Sequence, residues 1–397
     1  MNANNSRTNE PREESSWLLA RLRILLLAAA IAASIMFAVG LLTIWLMPKV
    51  CQASYSIGTT LSQSNSYHQA IPFYSAAITL DLDSAKAYRA RGIAYSRDGN
   101  YEQAIHDFDQ ALRLRPDDAL ALVERGSDYA ARGENDRAIL DESQAILLNA
   151  SLTKAYLSRA EAYSGKKDYD KAIQDLDEGI RLSPRSAGAF EARGAAHRAK
   201  KEYDLALEDY DQAICLVPAD SSFFVNRGDL YGDRGDYKEA IEDLSQAIHL
   251  HPDDAIVWNN RCWYRAIQGD LNPALDDCNQ ALAMDADNSY TLDSRGFVYL
   301  KMKFVNKAVA DYRAALAIAP KTPTSLYGLG LAEQLRGDRG AANEHLIEAK
   351  KLQPDIADQF VKWGVPTASK PGWGHSPNTP KPMPLVAGRA FKTVIAK

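Results

Sequence analysis

The feature that most constrains this chain is a 34-residue period without insertion or deletion. A small residue, usually glycine, recurs at this spacing at Gly58, Gly92, Gly126, Ala160, Gly194, Gly228, Cys262, Gly296 and Gly330. Twelve residues after each stands an alanine, at Ala70, Ala104, Ala138, Ala172, Ala206, Ala240, Ala274, Ala308 and Ala342. A fixed period of this length is typical of stacked supersecondary units, each burying its apolar face on its neighbours. The sequence therefore predicts nine repeats over residues 51–356, called hairpins 1 to 9 below.

Each repeat has the pattern of two helices joined by a turn. Aromatic residues recur four positions before and three positions after the small residue, offsets that share one helical face. Examples are Tyr88 and Tyr95 in hairpin 2. A turn glycine follows, and a proline such as Pro116 closes most repeats, because proline cannot continue a helix. The pattern predicts helix–turn–helix hairpins and an all-α fold.

These landmarks resemble the tetratricopeptide repeat family over residues 51–356. The clearest copy is 85–118, with Tyr88, Gly92, Tyr95, Ala104, Phe108, Ala111 and Pro116 in place. The resemblance implies a right-handed superhelical solenoid whose first helices line a concave groove that binds peptide segments or partner proteins. Pro72, inside the second helix of hairpin 1, is a departure from the pattern. Residues 355–363 are predicted to form a short capping helix, since an open end would expose an apolar face.

One pattern goes beyond the family's landmarks. An arginine directly precedes the small position in hairpins 2 to 8, and an aspartate follows it sixteen residues later. The pairs are Arg91 with Asp107, Arg125 with Asp141, Arg159 with Asp175, Arg193 with Asp209, Arg227 with Asp243, Arg261 with Asp277, and Arg295 with Asp311. Hairpins 1 and 9 carry neither residue, so pairing with the aspartate of the preceding repeat would leave two partly buried charges alone. The sequence predicts a structural bridge within each internal hairpin.

The resemblance also assigns partner-binding positions in hairpins 6 to 9. They are Asn226, Asp229, Asn259, Trp263, Tyr290, Asp293, Phe297, Tyr327 and Leu331. Exposed aromatic side chains there would anchor a partner, and the polar side chains would bond to its backbone. The alternative is that Trp263 and Phe297 pack inside the array, which would then serve as a rigid spacer.

The predicted function is a protein-interaction scaffold or adaptor and not an enzyme. The alternative is a non-catalytic arm that holds substrates for an enzyme or for a chaperone-like assembly complex. No phosphate-binding glycine loop, zinc-protease motif or nucleophile elbow is present, and no cofactor or metal is predicted. His249 and His251 lack a third well-placed ligand. Cys262 and Cys278 are expected to be buried free thiols, with a disulfide as the alternative outside the cytoplasm.

A charge-free apolar run over residues 24–47 is long enough to cross a bilayer as one transmembrane helix. A cleaved secretory signal is the alternative, although its apolar core is normally shorter. Four arginines precede the run and only Lys49 follows it closely. Positive charge stays inside, so residues 1–23 are predicted to be cytoplasmic and the repeats to lie on the other side, the periplasm if the membrane is a bacterial inner membrane.

The net charge of −5 is unevenly distributed, because the repeats are acidic and both ends are basic. An acidic body argues against a nucleic-acid-binding surface, which needs clustered lysine and arginine. Residues 364–397 combine six prolines with five basic and no acidic residues, and are predicted to be a disordered basic tail. The Pro377 and Pro380 spacing could be read by a proline-binding module, but a plain linker is the simpler interpretation.

Overall fold

The structure, a computed structural model, describes residues 47–365, which are helical throughout and form no strand. The chain divides into two compact units at Pro184 and Arg185. In the described part of the first unit the helices are α1 Met47–Gln63, α2 Tyr67–Leu80, α3 Ala85–Arg97, α4 Tyr101–Leu114, α5 Ala119–Ala131, α6 Asn135–Leu148, α7 Thr153–Gly165 and α8 Tyr169–Leu182. They pair in sequence as hairpins 1 to 4.

The second unit contains hairpins 5 to 9 and one further helix. Its described helices are α9 Ala187–Ala199, α10 Tyr203–Leu216, α11 Ser221–Arg234, α12 Tyr237–Leu250, α13 Ala255–Gln268, α14 Leu271–Met284, α15 Ser289–Lys301, α16 Val305–Ile318, α17 Pro323–Arg336, α18 Arg339–Leu352 and α19 Ile356–Lys362. The prediction of an all-α solenoid of repeat hairpins is confirmed. Helix α19 corresponds to the predicted capping helix.

The small residues allow the two helices of a hairpin to touch. A Cβ atom placed on Gly92 would lie 2.8 Å from the ring of Phe108, and one on Gly58 would lie 2.8 Å from the ring of Tyr74. Both rings belong to residues sixteen positions after the glycine. We call that position the plug of each hairpin. The alanines of the second series, such as Ala70 and Ala104, are fully buried in the same interface.

One turn position in each hairpin has the left-handed backbone conformation. Glycine occupies it in five hairpins, for example Gly269 with φ of 105°. The remaining hairpins use Asn65, Lys167, Lys201 and Lys303, with φ between 57° and 64°. A lysine there costs about 1–2 kcal/mol relative to its right-handed conformation. The hairpin geometry therefore overrides the local preference of these residues.

Both helices of hairpin 1 contain a proline. Helix α1 includes Pro48 and the other described residues 47–50, which precede the predicted repeat. Helix α2 continues through Pro72. The buried side chains of Ala70 and Tyr74 on either side of Pro72 explain how tertiary packing holds the helix together.

The predicted transmembrane helix, residues 24–47, lies outside the described residues apart from Met47. The predicted cytoplasmic segment 1–23 also lies outside them, as does the predicted tail 364–397 apart from Gly364 and Val365. Among the helices that the structure describes, none has the length and apolar character needed to cross a membrane.

Candidate partner-binding face

The structure brings together the arginine and aspartate of each internal hairpin. In hairpin 2, Arg91 Nε donates to Asp107 Oδ2 at 2.7 Å, and Nη2 donates to Oδ1 at 2.8 Å. The same two-bond fork joins the other six pairs, with nitrogen to oxygen distances from 2.7 to 3.0 Å for the principal bonds. Two charge-assisted hydrogen bonds therefore join the arginine of the first helix to the aspartate of the second helix in each of these hairpins.

Several of these arginines also reach the preceding hairpin, which the sequence reasoning missed. The third nitrogen, Nη1, donates to a residue sixteen positions upstream, on the second helix of the preceding hairpin. Recipients with ordinary distances are Ser75 at 2.9 Å, Ser143 at 3.0 Å, Ser245 at 3.0 Å and Asn279 at 3.0 Å. Arg125 and Arg227 use Asp109 and Asp211 in the same way. The sequence shows this acceptor as a serine, aspartate or asparagine that recurs every 34 residues from Ser75 to Asn279.

The aromatic columns have a second role beside these arginines. The guanidinium carbon of Arg91 lies 5.8 Å from the ring centres of both Tyr88 and Tyr95. Arg261 lies 4.9 Å from the ring of Trp258. Such cation–π contacts contribute about 0.5–1 kcal/mol at exposed sites. The aromatics predicted to be packing residues thus also surround the positive charge of the bridge.

Hairpin 9 uses the opposite arrangement of charge. Glu333, fully buried, accepts a hydrogen bond from Arg313 Nη2 of hairpin 8 at 2.8 Å. Its second oxygen lies 2.8 Å from His345 Nδ1, at the position where the internal hairpins carry aspartate. The carboxylate is therefore on the first helix, and the guanidinium of Arg313 and the ring of His345 contact it from the neighbouring second helices. Glu333, a departure from the aromatic pattern in the sequence, has a structural role.

Of the predicted anchors in hairpins 7 to 9, Trp263, Phe297, Tyr327 and Leu331 are not exposed. Phe297, Tyr327 and Leu331 are only 1%, 3% and 3% exposed, and Trp263 packs against the same core. The expectation of exposed anchors is therefore wrong for these residues. Helix α19 and Trp363 cover them, with the rings of Trp363 and Trp263 4.9 Å apart. The alternative, that Trp263 and Phe297 pack inside the array, describes their position.

Most of the polar side chains that were predicted to bind a partner form hydrogen bonds within the protein instead. Asn226 donates to Glu191 at 2.8 Å, and Asp229 accepts from Asn260 at 3.2 Å. Asp293 accepts from Ser325 at 2.6 Å and from Thr324 at 2.9 Å, so it links hairpins 8 and 9. Burial raises the pKa of Asp293 to about 6, although the two hydroxyl groups oppose that rise. These side chains hold neighbouring first helices together.

Two of the predicted binding residues, Tyr290 and Asn259, make no contact in that hydrogen-bond network among the described residues. Tyr290, at the start of α15, is 73% exposed. Ile256, at the equivalent position of hairpin 7, is 62% exposed, and Leu120 of hairpin 3 is 45% exposed. Asn259 lies nearby, and its buried Oδ1 has no hydrogen-bond partner among the described residues. We call the exposed pair Ile256 and Tyr290 the open part of the first-helix face.

Two plug positions carry residues unlike the aromatic or leucine side chains found elsewhere. In hairpin 7, Cys278 forms a disulfide with Cys262, with Cα atoms 5.4 Å apart. The expectation of two free thiols is therefore wrong, because the two half-cystines face each other across α13 and α14 and are bonded. In hairpin 3 the plug is Glu142, which is fully buried beside Gly126.

Glu142 is an unusual core residue because neither carboxyl oxygen has a hydrogen-bond partner in the part of the chain described. Burial, reinforced by the charge of Glu161, raises the pKa of Glu142 to about 9. The carboxyl is therefore protonated at neutral pH. Across the described residues no group of three His, Cys, Asp or Glu side chains has the geometry of a metal site.

Family models match four segments of the chain. Those described as tetratricopeptide repeat match residues 85–118, 157–222 and 52–84, and one described as TPR repeat matches residues 228–261. A search of curated proteins gives no match.

Two solved structures share the fold. A tetratricopeptide repeat protein from Parabacteroides merdae is 18% identical, with a TM-score of 0.50, over 63% of this chain and 98% of that one. One chain of the APC/C hetero-tetramer Cut9–Hcn1 is 14% identical, with a TM-score of 0.52, over 79% of this chain and 75% of that one. At these identities the likeness concerns the fold alone. The matched segments are therefore similar to tetratricopeptide repeats, and the helical architecture of the described residues agrees with that similarity.

Proposed function

We propose that the protein is a membrane-tethered scaffold that binds partner proteins or peptides on the first-helix face of hairpins 6 to 9. The observation that carries this proposal is the open part of that face, where Ile256 and Tyr290 present large apolar side chains on neighbouring first helices. Tetratricopeptide folds generally serve as non-catalytic interaction scaffolds. Exposed aromatic residues beside a buried core are suited to dominate an interface.

The test compares Tyr290 with a matched residue on the opposite class of helix. Ile347, on second helix α18 of hairpin 9, is 67% exposed and resembles Tyr290 in accessibility. A photo-crosslinking residue at position 290 should join the partner in the native membrane, whereas one at 347 should not. Tyr290→Ala should weaken affinity for that partner by roughly 30-fold, because a central aromatic contributes about 2 kcal/mol. Equal crosslinking at both positions would contradict the assignment of the face.

Two features support placing the repeats outside the cytoplasm. The apolar run 24–47 with its preceding arginines favours an amino terminus inside. The disulfide between Cys262 and Cys278 is a bond that persists mainly in oxidising compartments. A reporter enzyme that works only outside the cytoplasm, fused after Lys397, should be active. An inactive fusion beside an active cytoplasmic reporter would reverse the orientation.

A further inference from the structure

Helix α19 does more than cover the last hairpin. Phe360 lies 4.8 Å from the ring of Tyr327 in hairpin 9 and 5.8 Å from that of Phe297 in hairpin 8. Trp363 lies 4.9 Å from Trp263 in hairpin 7. An end cap needs to contact hairpin 9 only, because that is where the stack of repeats stops. The segment 356–363 instead lies along the first-helix face of three hairpins.

A partly buried lysine fixes the end of this segment to the same face. Lys301, at the end of α15, donates to the carbonyl oxygen of Trp363 at 2.8 Å. Its ammonium also donates to the carbonyl oxygen of Ala266 in α13 at 2.7 Å. Burial lowers the pKa of Lys301. The site thus combines an aromatic floor with a cation that receives the carboxyl end of a helix, where free carbonyl oxygens point.

The apolar residues of the segment have the spacing of a helical ligand. Ile356 and Phe360 are 0% and 1% exposed, and Trp363 follows three residues later. Positions i, i+4 and i+7 are those by which an amphipathic helix fills a groove. Helix α19 has seven residues, too few for independent stability. Helix α19 is therefore stabilised by its contacts with the first-helix face, and another helix with apolar residues at positions i, i+4 and i+7 could make the same contacts.

We propose that residues 356–363 are a built-in ligand of the face formed by Trp263, Phe297 and Tyr327, and that a partner displaces them. The partner supplies a short amphipathic helix with large apolar side chains at positions i, i+4 and i+7. Its carboxyl end lies at Lys301. This inference rests on the proposed scaffold function and specifies both the covered part of its face and the chemistry of the partner.

The test uses the full chain and a labelled peptide with the sequence of residues 353–365. In a variant with Phe360→Ala and Trp363→Ala the chain's own segment no longer fills the face, so the peptide should bind in trans, measured by fluorescence anisotropy. The wild-type chain should bind it about tenfold or more weakly, because an occupied face reduces apparent affinity by the fraction that is open. A peptide with Phe360→Ala serves as the matched control and should bind neither chain.

Hydrogen exchange on the same samples decides whether the face is intact. If α13, α15 and α17 stay protected in the variant and the peptide binds neither chain, or binds both equally, the proposal is wrong. A second measurement applies to the wild-type chain even if the variant unfolds: α19 should exchange much faster than α17, and equal protection would overturn the proposal. The Tyr290 crosslinking result is independent, so failure of the scaffold function is distinguishable from failure of this inference.

Discussion

Hairpins 3 and 7 depart from the repeat at the same position, with opposite consequences. Both keep the arginine fork, Arg125 with Asp141 and Arg261 with Asp277. The plug of hairpin 3 is an unpaired carboxyl, whereas that of hairpin 7 is a covalent bond between the two helices. Two hairpins with the same arginine fork can therefore differ in stability through one residue, because each plug side chain packs against the first helix of its own repeat.

The largest expected difference comes from removing the arginine of each hairpin. Arg125→Met leaves the carboxylate of Asp141, 12% exposed, without its cation, and loss of one partner of a buried pair costs about 3–5 kcal/mol. Arg261→Met should cost about 1–2 kcal/mol, since Arg265 still donates to Asp277 at 2.7 Å. Native-state hydrogen exchange of α5 and α6, against α13 and α14, measures both. Equal losses would show that Arg265 does not compensate.

Reduction of the disulfide should affect hairpin 7 and leave hairpin 3 unchanged. Cys262 and Cys278 close a loop with a sequence separation of 16, and a loop of that size restricts the unfolded chain by about 3 kcal/mol. A reductant should therefore accelerate hydrogen exchange in α13 and α14. Hairpin 3 contains no cysteine and is the internal control. Unchanged protection of hairpin 7 after verified reduction would argue against this prediction.

Replacement of Glu142 should stabilise hairpin 3 at neutral pH. Its folded pKa of about 9 lies above the ordinary value of 4.5, so the folded state is favoured most below pH 4.5, and its free energy of unfolding falls as the pH rises from 4.5 through 9. Glu142→Leu should raise the free energy of unfolding by roughly 2–3 kcal/mol at pH 7. Leucine already occupies the plug as Leu176 and Leu244, which shows that the slot accepts it.

Glu142→Gln separates charge from shape in that prediction. The amide has nearly the same volume and does not titrate, so it should remove the pH dependence between 4.5 and 9 without the packing gain of leucine. Urea unfolding at several pH values, followed by hydrogen exchange in α5 and α6, reports the slope. A slope that survives in Glu142→Gln would assign the pH dependence to other groups.

The repeat frame was predictable because its determinants are local. Gly92 and Ala104 leave room for only one close approach of two helices, and their fixed spacing sets the boundaries of each hairpin. The within-hairpin fork of Arg91 and Asp107 followed from counting which repeats lacked both charges. The hairpin boundaries and the arginine fork are therefore determined by residues of one repeat and of its neighbour.

The covered face was not predictable because its determinants are distant in sequence. Trp263 and Trp363 come together only when α19 turns back over three hairpins, and no period relates the two residues. The predicted groove positions lie on first helices, but Phe297 and Tyr327 pack against Phe360 of the chain's own segment 356–363. Glu142 could have been noticed as the single acidic residue in the plug column.

The upstream contact of the arginines bears on how such an array can lengthen. Each of hairpins 2 to 7 brings its own arginine, its own aspartate and an acceptor for the arginine of the next repeat. A duplicated copy of any of them would find matching groups at both junctions. Hairpin 8 carries Arg313 at the acceptor position, and hairpin 9 carries Glu333 to meet it. Duplication within hairpins 2 to 7 would therefore keep these contacts, whereas a copy of hairpin 8 placed before an internal hairpin would set Arg313 against an arginine.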